Sequence, residues 1–166
     1  MSFKLILTRA VYWLRGLFKD PIDLFKRLGV KKDDEILEIG CAIGYHTFAL
    51  ARLAHSGRVY AVDISEEYLA HLKSKIQSQD NIQLIHLNAE AVEFPLASLD
   101  KVICFDTLHD IPDPEQAVQR WANFLRRDGK LCFCDPVIRP EQIEVLSKSK
   151  LQRAVTVQGI TVFVRQ

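Results

Sequence analysis

The sequence predicts an α/β domain whose doubly wound, mostly parallel sheet ends in an antiparallel strand pair. Three observations lead there. Short apolar runs alternate with segments of helical periodicity from residue 35 to residue 134. A turn of small residues, 40–44, joins the first apolar run to the first of those helical segments, as at the ligand-binding edge of open α/β sheets. Two β-rich runs, 151–158 and 159–165, then meet at Gln158 and Gly159, which is a hairpin signal.

Each element has its own signal. Phe3, Leu7, Ala10, Leu14, Leu17 and Phe18 recur at helical spacing, with Lys4, Thr8, Arg15 and Lys19 on another face, so 3–18 is expected to be an amphipathic helix. Asp20 and Pro21 supply an N-cap and a first-turn proline for a short helix through Leu28, which Gly29 stops. Strands are expected over 35–39, 58–62, 82–87, 101–105 and 130–134. Most are rich in Val, Ile, Leu, Cys or Phe, which suits burial on both faces. Helices over 45–54, 66–78 and 114–126 lie between them, the second and third started by Ser65 and Asp113. A short helix over 140–147 precedes the hairpin. No repeat, low-complexity tract or linker divides the 166 residues, so one domain is expected, with 1–30 as an N-terminal helical cap.

Lys and Arg number 22 against 21 Asp and Glu, a net charge of +1 that gives no global field for a polyanion; no nucleic-acid partner is expected. Eight basic residues nevertheless crowd into 1–32 against Asp20 and Asp23. A basic amphipathic helix there is expected to act as a cap that helps close a ligand site, ahead of two other readings, a membrane-surface anchor through Trp13 and Phe18 or a partner-binding helix. No run of eighteen uncharged apolar residues and no cleavage site is found, so neither a spanning helix nor a signal peptide is expected. Cys41, Cys104, Cys132 and Cys134 lie in apolar runs without zinc spacing or disulfide density, which implies reduced thiols and a cytoplasmic protein. Cys132 and Cys134, two apart on one strand, are read as packing residues on one face.

The chemistry concentrates at Glu38-Ile39-Gly40-Cys41-Ala42-Ile43-Gly44, where small residues let a backbone approach a ligand closely. The second strand ends at Asp63, and a carboxylate at the end of the neighbouring strand is the acceptor a ribose diol needs. Together they indicate a nucleoside site. A dinucleotide fingerprint would require glycines at 40, 42 and 45, but Ala42 and Tyr45 stand at two of those positions, which disfavours a nicotinamide (NAD-dependent) oxidoreductase.

These residues resemble the first motif of the class I S-adenosylmethionine-dependent methyltransferases, an acid, an apolar residue and Gly-x-Gly-x-Gly. The resemblance runs through Val59–Ser65, Asn88-Ala89-Glu90, Leu99–Cys104 and Leu125–Leu131, and Leu108–Asp113 is similar to a segment of the ubiquinone-biosynthesis-like branch; it covers about 21–136. It implies a Rossmann-like seven-stranded sheet of order 3-2-1-4-5-7-6 with the last strand antiparallel and helices on both faces. It also implies S-adenosyl-L-methionine as cofactor and a small-molecule methyl acceptor. Glu38 and the backbone of Gly40, Cys41, Ala42 and Gly44 would hold the methionine end, Asp63 the ribose hydroxyls, and Asn88 and Ala89 the adenine edge. Ile64 would pack on the adenine ring, and Phe105 and Asp106 would lie near the methionine amino group. Ala42 departs from the family's glycine, Asn88 from its aspartate, and Arg127, Asp128 and Lys130 from its Pro-Gly-Gly turn.

Methyl transfer from a sulfonium needs mainly proximity, orientation and exclusion of water. If the acceptor must lose a proton, Asp106, His109 and Asp110 are the candidates, with His109 nearest neutrality. The lack of an Asn-Pro-Pro-Tyr or Asp-Pro-Pro-Tyr sequence disfavours amino-nitrogen methylation of adenine or glutamine. The alternative is a non-catalytic cofactor-binding or partner subunit.

Overall fold

The computed structural model describes residues 21–166. The helix expected over 3–18, with the Asp20 cap and most of the proposed N-terminal cap, lies outside the described residues. Helix α1 (Pro21–Arg27) leads to β1 (Glu35–Ile39), α2 (Thr47–Leu53), β2 (Arg58–Asp63), α3 (Glu66–Lys73), β3 (Ile82–His86) and β4 (Leu99–Phe105). A single 3₁₀ turn (Leu108–Asp110) precedes α4 (Pro114–Phe124), β5 (Leu125–Cys134), α5 (Pro140–Leu146), β6 (Leu151–Val157) and β7 (Ile160–Arg165).

The strands form one seven-stranded sheet of order β3-β2-β1-β4-β5-β7-β6. β1 to β5 run parallel, and β7 is antiparallel to both β5 and β6, as the family resemblance implied. Ile39 is level with Val62 on one side and Cys104 on the other, so the chain leaves the middle of the sheet between two flanking strand ends. The hairpin turns on Gln158 (φ 51°) and Gly159 (φ 85°), the paired left-handed residues of a tight two-residue connection.

Both faces of the sheet are covered. Leu37, Val102, Leu131 and Phe133 point toward Trp121 of α4 and Ile143 of α5. The alternate residues Ile36, Ile103, Cys132 and Val162 meet Leu24, Phe25 and Leu50 of α1 and α2. Cys132 and Cys134 share that second face, and none of the four cysteines is in a disulfide.

Several boundaries differ from expectation, the helix after β1 beginning at Thr47 rather than at 45 and β4 at Leu99 rather than at 101. Helix α3 stops at Lys73; beyond it the Lys75 and Ile76 N–H groups both turn to the Leu72 carbonyl (2.9 and 3.2 Å), and the Ser74 hydroxyl donates to the His71 carbonyl (2.6 Å). β5 begins at Leu125 rather than Lys130: Leu125 pairs with Leu99, and the register slips by the next pair, Lys101 with Lys130, with Asp128 at φ 64° absorbing the extra chain. Ser65 and Asp113 cap α3 and α4 by accepting from the N–H groups of Tyr68 (3.3 Å) and Gln116 (2.9 Å).

At the opposite edge, Lys101 Nζ meets Asp34 Oδ2 at 2.5 Å, with both side chains buried. Asp34 also accepts from the Lys31 N–H, and its carbonyl accepts from Arg58 at the start of β2. Lys101→Met leaves this carboxylate buried without its cation, and is expected to lower the unfolding free energy by about 3–5 kcal/mol, read as a fall in the urea midpoint.

Candidate functional site

The turn after β1 is held in left-handed backbone at Gly40 (φ 73°), Ala42 (φ 46°) and Gly44 (φ 87°). The N–H groups of Gly40 and Cys41 both donate to the Val62 carbonyl (2.9 and 3.0 Å), folding the turn over the end of β2. A Cβ on Gly40 would sit 2.2 Å from Thr107 Oγ1, and one on Gly44 2.3 Å from Leu72 Cδ1, so space as well as φ requires glycine at both. Ala42 takes the same strained region with a methyl group, which accounts for the usual glycine there.

Asp63 joins this turn to the next loop. Its Oδ2 accepts from the Ala42 N–H and its Oδ1 from the Ser65 N–H, both at 2.8 Å. One lone pair on each oxygen is left to accept from a ligand diol.

Around them opens a cavity of about 400 Å³. Of the residues expected to bind cofactor, Gly40, Ala42, Asp63, Ile64, Asn88, Ala89 and Phe105 line it, as does Asp106. Ile64 (71% exposed) and Leu87 (44% exposed) are apolar side chains left open on its wall, a surface suited to a flat aromatic ring. Asn88 donates to Glu90 Oε2 (2.9 Å) and accepts from the Glu90 N–H (3.2 Å), which fixes its amide. Phe105 is stacked on Phe25 of α1 (ring centroids 6.2 Å apart, 2° between planes), with His46 edge-on to both.

Glu38, Cys41 and Gly44 stand behind the wall. The Cys41 thiol packs with Ala61, Leu69 and Leu72, and burial raises its pKa far above the ordinary thiol range. Glu38 accepts from the Thr47 hydroxyl (2.6 Å) with both side chains buried. Burial pushes its carboxyl up to about 8, opposed by the Thr47 hydrogen bond and aided by the nearby Asp63 charge. His109 stands just outside the lining, beside Asp110, which is part of it.

Sequence reasoning did not single out Tyr68, Leu87, Thr107 or Ile111, which complete the wall. For Leu87 the signal was its place at the end of the expected third strand, which the structure ends one residue earlier, at His86. Thr107 carried none, because it is set by its close approach to Gly40 across the sheet edge.

The charged lining suits the expected cofactor. The charged residues lining the cavity, among those described, are Asp63, Asp106 and Asp110, all acidic. That complements a ligand with a ribose diol and a sulfonium charge, and gives no cation for a diphosphate. Among the described residues no cluster of His, Cys, Asp or Glu could hold a metal ion, and no helix is long and apolar enough to cross a membrane.

Residues 37–133, more than half of the chain, match the family model described as "Methyltransferase domain". The chain is 34% identical over 121 residues to a demethylmenaquinone methyltransferase from Geobacillus stearothermophilus, covering 71% of this chain and 51% of that protein. It is 27% identical over 140 residues to the methyltransferase GfsG from Streptomyces halstedii, covering 77% and 50%. It thus spans about half the length of these relatives. Its fold is similar to the crystal structure of an S-adenosylmethionine-dependent methyltransferase from Aquifex aeolicus (TM-score 0.74, 17% identity, 87% and 88% of the two chains).

Two consequences are measurable. Ala42→Gly relieves the left-handed alanine and is expected to raise the unfolding free energy by about 1 kcal/mol in urea. Glu38 ionises near 4.5 in the unfolded chain but near 8 in the fold, so its favourable contribution is whole below pH 4.5 and is lost as pH rises through 8. The stability of the native chain, relative to Glu38→Gln, is therefore expected to fall across that window in paired urea titrations.

Proposed function

The chain belongs to the methyltransferase-domain family, and from that premise we propose that it transfers the methyl group of S-adenosylmethionine to a small-molecule acceptor. One observation carries the proposal: Asp63, bonded to the backbone of both the Gly-rich turn and the following loop, faces a cavity whose described charged lining is wholly acidic.

In this proposal the cofactor supplies an activated methyl carbon, and the chain supplies its position. Asp63 accepts both ribose hydroxyls. Ile64 and Leu87 cover the adenine ring, and Asn88 and Ala89 meet its edge. Glu38 and Cys41 act from behind, Glu38 by anchoring Thr47 at the start of α2 and Cys41 by filling the space beneath the turn. The Gly40 and Ala42 backbone and Phe105 bound the methionine end, with Asp106 near its ammonium group, and Gly44 supports the turn from behind. Holding the reacting atoms in line and excluding water accounts for the rate. Asp106 and His109 are the groups proposed to handle a proton if the acceptor releases one. Residues 1–30 are proposed to cap the same single domain, the four cysteines, none in a disulfide, support a cytoplasmic location, and the near-neutral charge supports an acceptor other than nucleic acid.

Calorimetric titration with S-adenosylmethionine, S-adenosylhomocysteine and NAD tests the proposal. The first two are expected to bind and NAD is not. Asp63→Ala is expected to weaken binding by about 2–3 kcal/mol, the scale of hydrogen bonds to a charged acceptor, with an unchanged circular dichroism spectrum. Equal affinity in the variant would remove Asp63 from the site.

A further inference from the structure

Asp135 follows the last residue of β5, and its side chain is wholly buried. Its carboxylate is ringed by N–H donors. Oδ1 accepts from the Val137 and Ile138 amides, both at 2.9 Å, while Oδ2 accepts from the His109 amide at 3.2 Å and meets the His109 Nδ1 at 3.0 Å. The three amides account for Asp135 as a tie between the 3₁₀ turn and the loop before α5. They do not account for the contact to the ring.

We infer that Asp135 is a positioning residue that fixes the His109 imidazole as a proton acceptor at the rim of the cavity, so that methylation occurs at an acceptor atom that gives up a proton. The inference rests on the methyl-transfer proposal. Burial acts to raise the Asp135 carboxyl, but the Ile138 amide, the His109 ring and the other two amides outweigh it and hold the group below the ordinary carboxylate range. An ionised carboxylate only accepts, so Nδ1 carries the proton and the neutral ring presents a bare Nε2. Nε2 faces Asp110 Oδ1 across 3.6 Å, and Asp110 lines the cavity.

Buried carboxylate, imidazole and cavity rim thus lie in sequence. Nε2 takes the acceptor's proton while the acceptor's electron pair bonds the methyl carbon and sulfur keeps the pair of the bond that breaks. The positive charge lost at the sulfonium reappears on His109. The hydrogen bond to Asp135, and the charges of Asp135, Asp110 and Asp106, stabilise it there and hold the imidazole pKa above its ordinary value against the opposing effect of burial.

Nitrogen-detected NMR of the full chain tests this with two ligands that differ by one charge: S-adenosylhomocysteine, and sinefungin, which carries an ammonium in place of the sulfonium. The neutral His109 ring is expected as the Nδ1–H tautomer. Its pKa with sinefungin is expected to lie roughly half a unit or more below that with S-adenosylhomocysteine, the scale of a unit charge added near an imidazole at intermediate dielectric. Asp135→Asn is expected to lower the pKa in every state and to weaken the tautomer preference. Should that variant not fold, the tautomer and the two-ligand difference in the native chain still decide. An Nε2–H tautomer, or equal pKa values when calorimetry shows both ligands bound, would overturn the inference and leave the cofactor proposal standing. No heat from either ligand would overturn that proposal and the inference with it.

Discussion

The hydrogen bond from the Ala42 amide to Asp63 joins two segments that leave neighbouring parallel strands at the same edge. A parallel sheet sends its strand ends out side by side with no turn of its own to connect them, and each loop must find its contacts across the edge. Here β2 supplies them twice, through the Val62 carbonyl beneath Gly40 and Cys41 and through the Asp63 carboxylate beneath Ala42. The Gly-rich turn thereby becomes a rigid wall, and the same carboxylate keeps one lone pair on each oxygen directed outward. Thr107 then closes on Gly40 from the β4 side, so the shape of the cavity follows from how closely three strand ends approach one another.

Such closeness has an energetic side. Ala42 and Asp106 are non-glycine residues at positive φ, and both line the cavity. Left-handed backbone at each costs about 1–2 kcal/mol. Hydrogen bonds hold both in place, Ala42 through Asp63 and Asp106 through its own amide to the Cys134 carbonyl (2.8 Å). Glu38 follows the same pattern in charge rather than torsion, since the fold keeps a carboxyl where burial favours its neutral form. The core that offsets these terms is continuous on both faces of the sheet, with Trp121 and Phe133 on one and Phe25 on the other.

What could be read from the sequence was what short-range pattern encodes. Alternating apolar runs gave the strands, Ser65 and Asp113 gave two helix starts, and the turn with Asp63 gave the wall they now form. Ile64, Asn88 and Ala89 follow strand ends at that edge, so their positions came with the topology. Long-range geometry was not legible. Asp135 looked like an ordinary residue before a proline, because its partner His109 lies 26 positions away and meets it only when β4 and β5 pair. Thr107 is likewise placed by its approach to Gly40 across the sheet edge. The early start of β5 was hidden because a charged Arg-Arg-Asp stretch gives no apolar signal, although Arg126 is held there by both oxygens of Asp100, each at 2.7 Å.

Trp121 packs in the core with its indole N–H directed to the carbonyl of Ala89 (3.4 Å), a residue whose other side is cavity wall. A fluorophore screened from water on one side and wired to the wall on the other is an optical gauge already installed in the chain. Displacement of the Ala89 carbonyl changes the polarity felt by the indole, so with Trp13, the other tryptophan, replaced by Phe, emission from Trp121 offers a label-free route to the kinetics with which the cavity fills and empties.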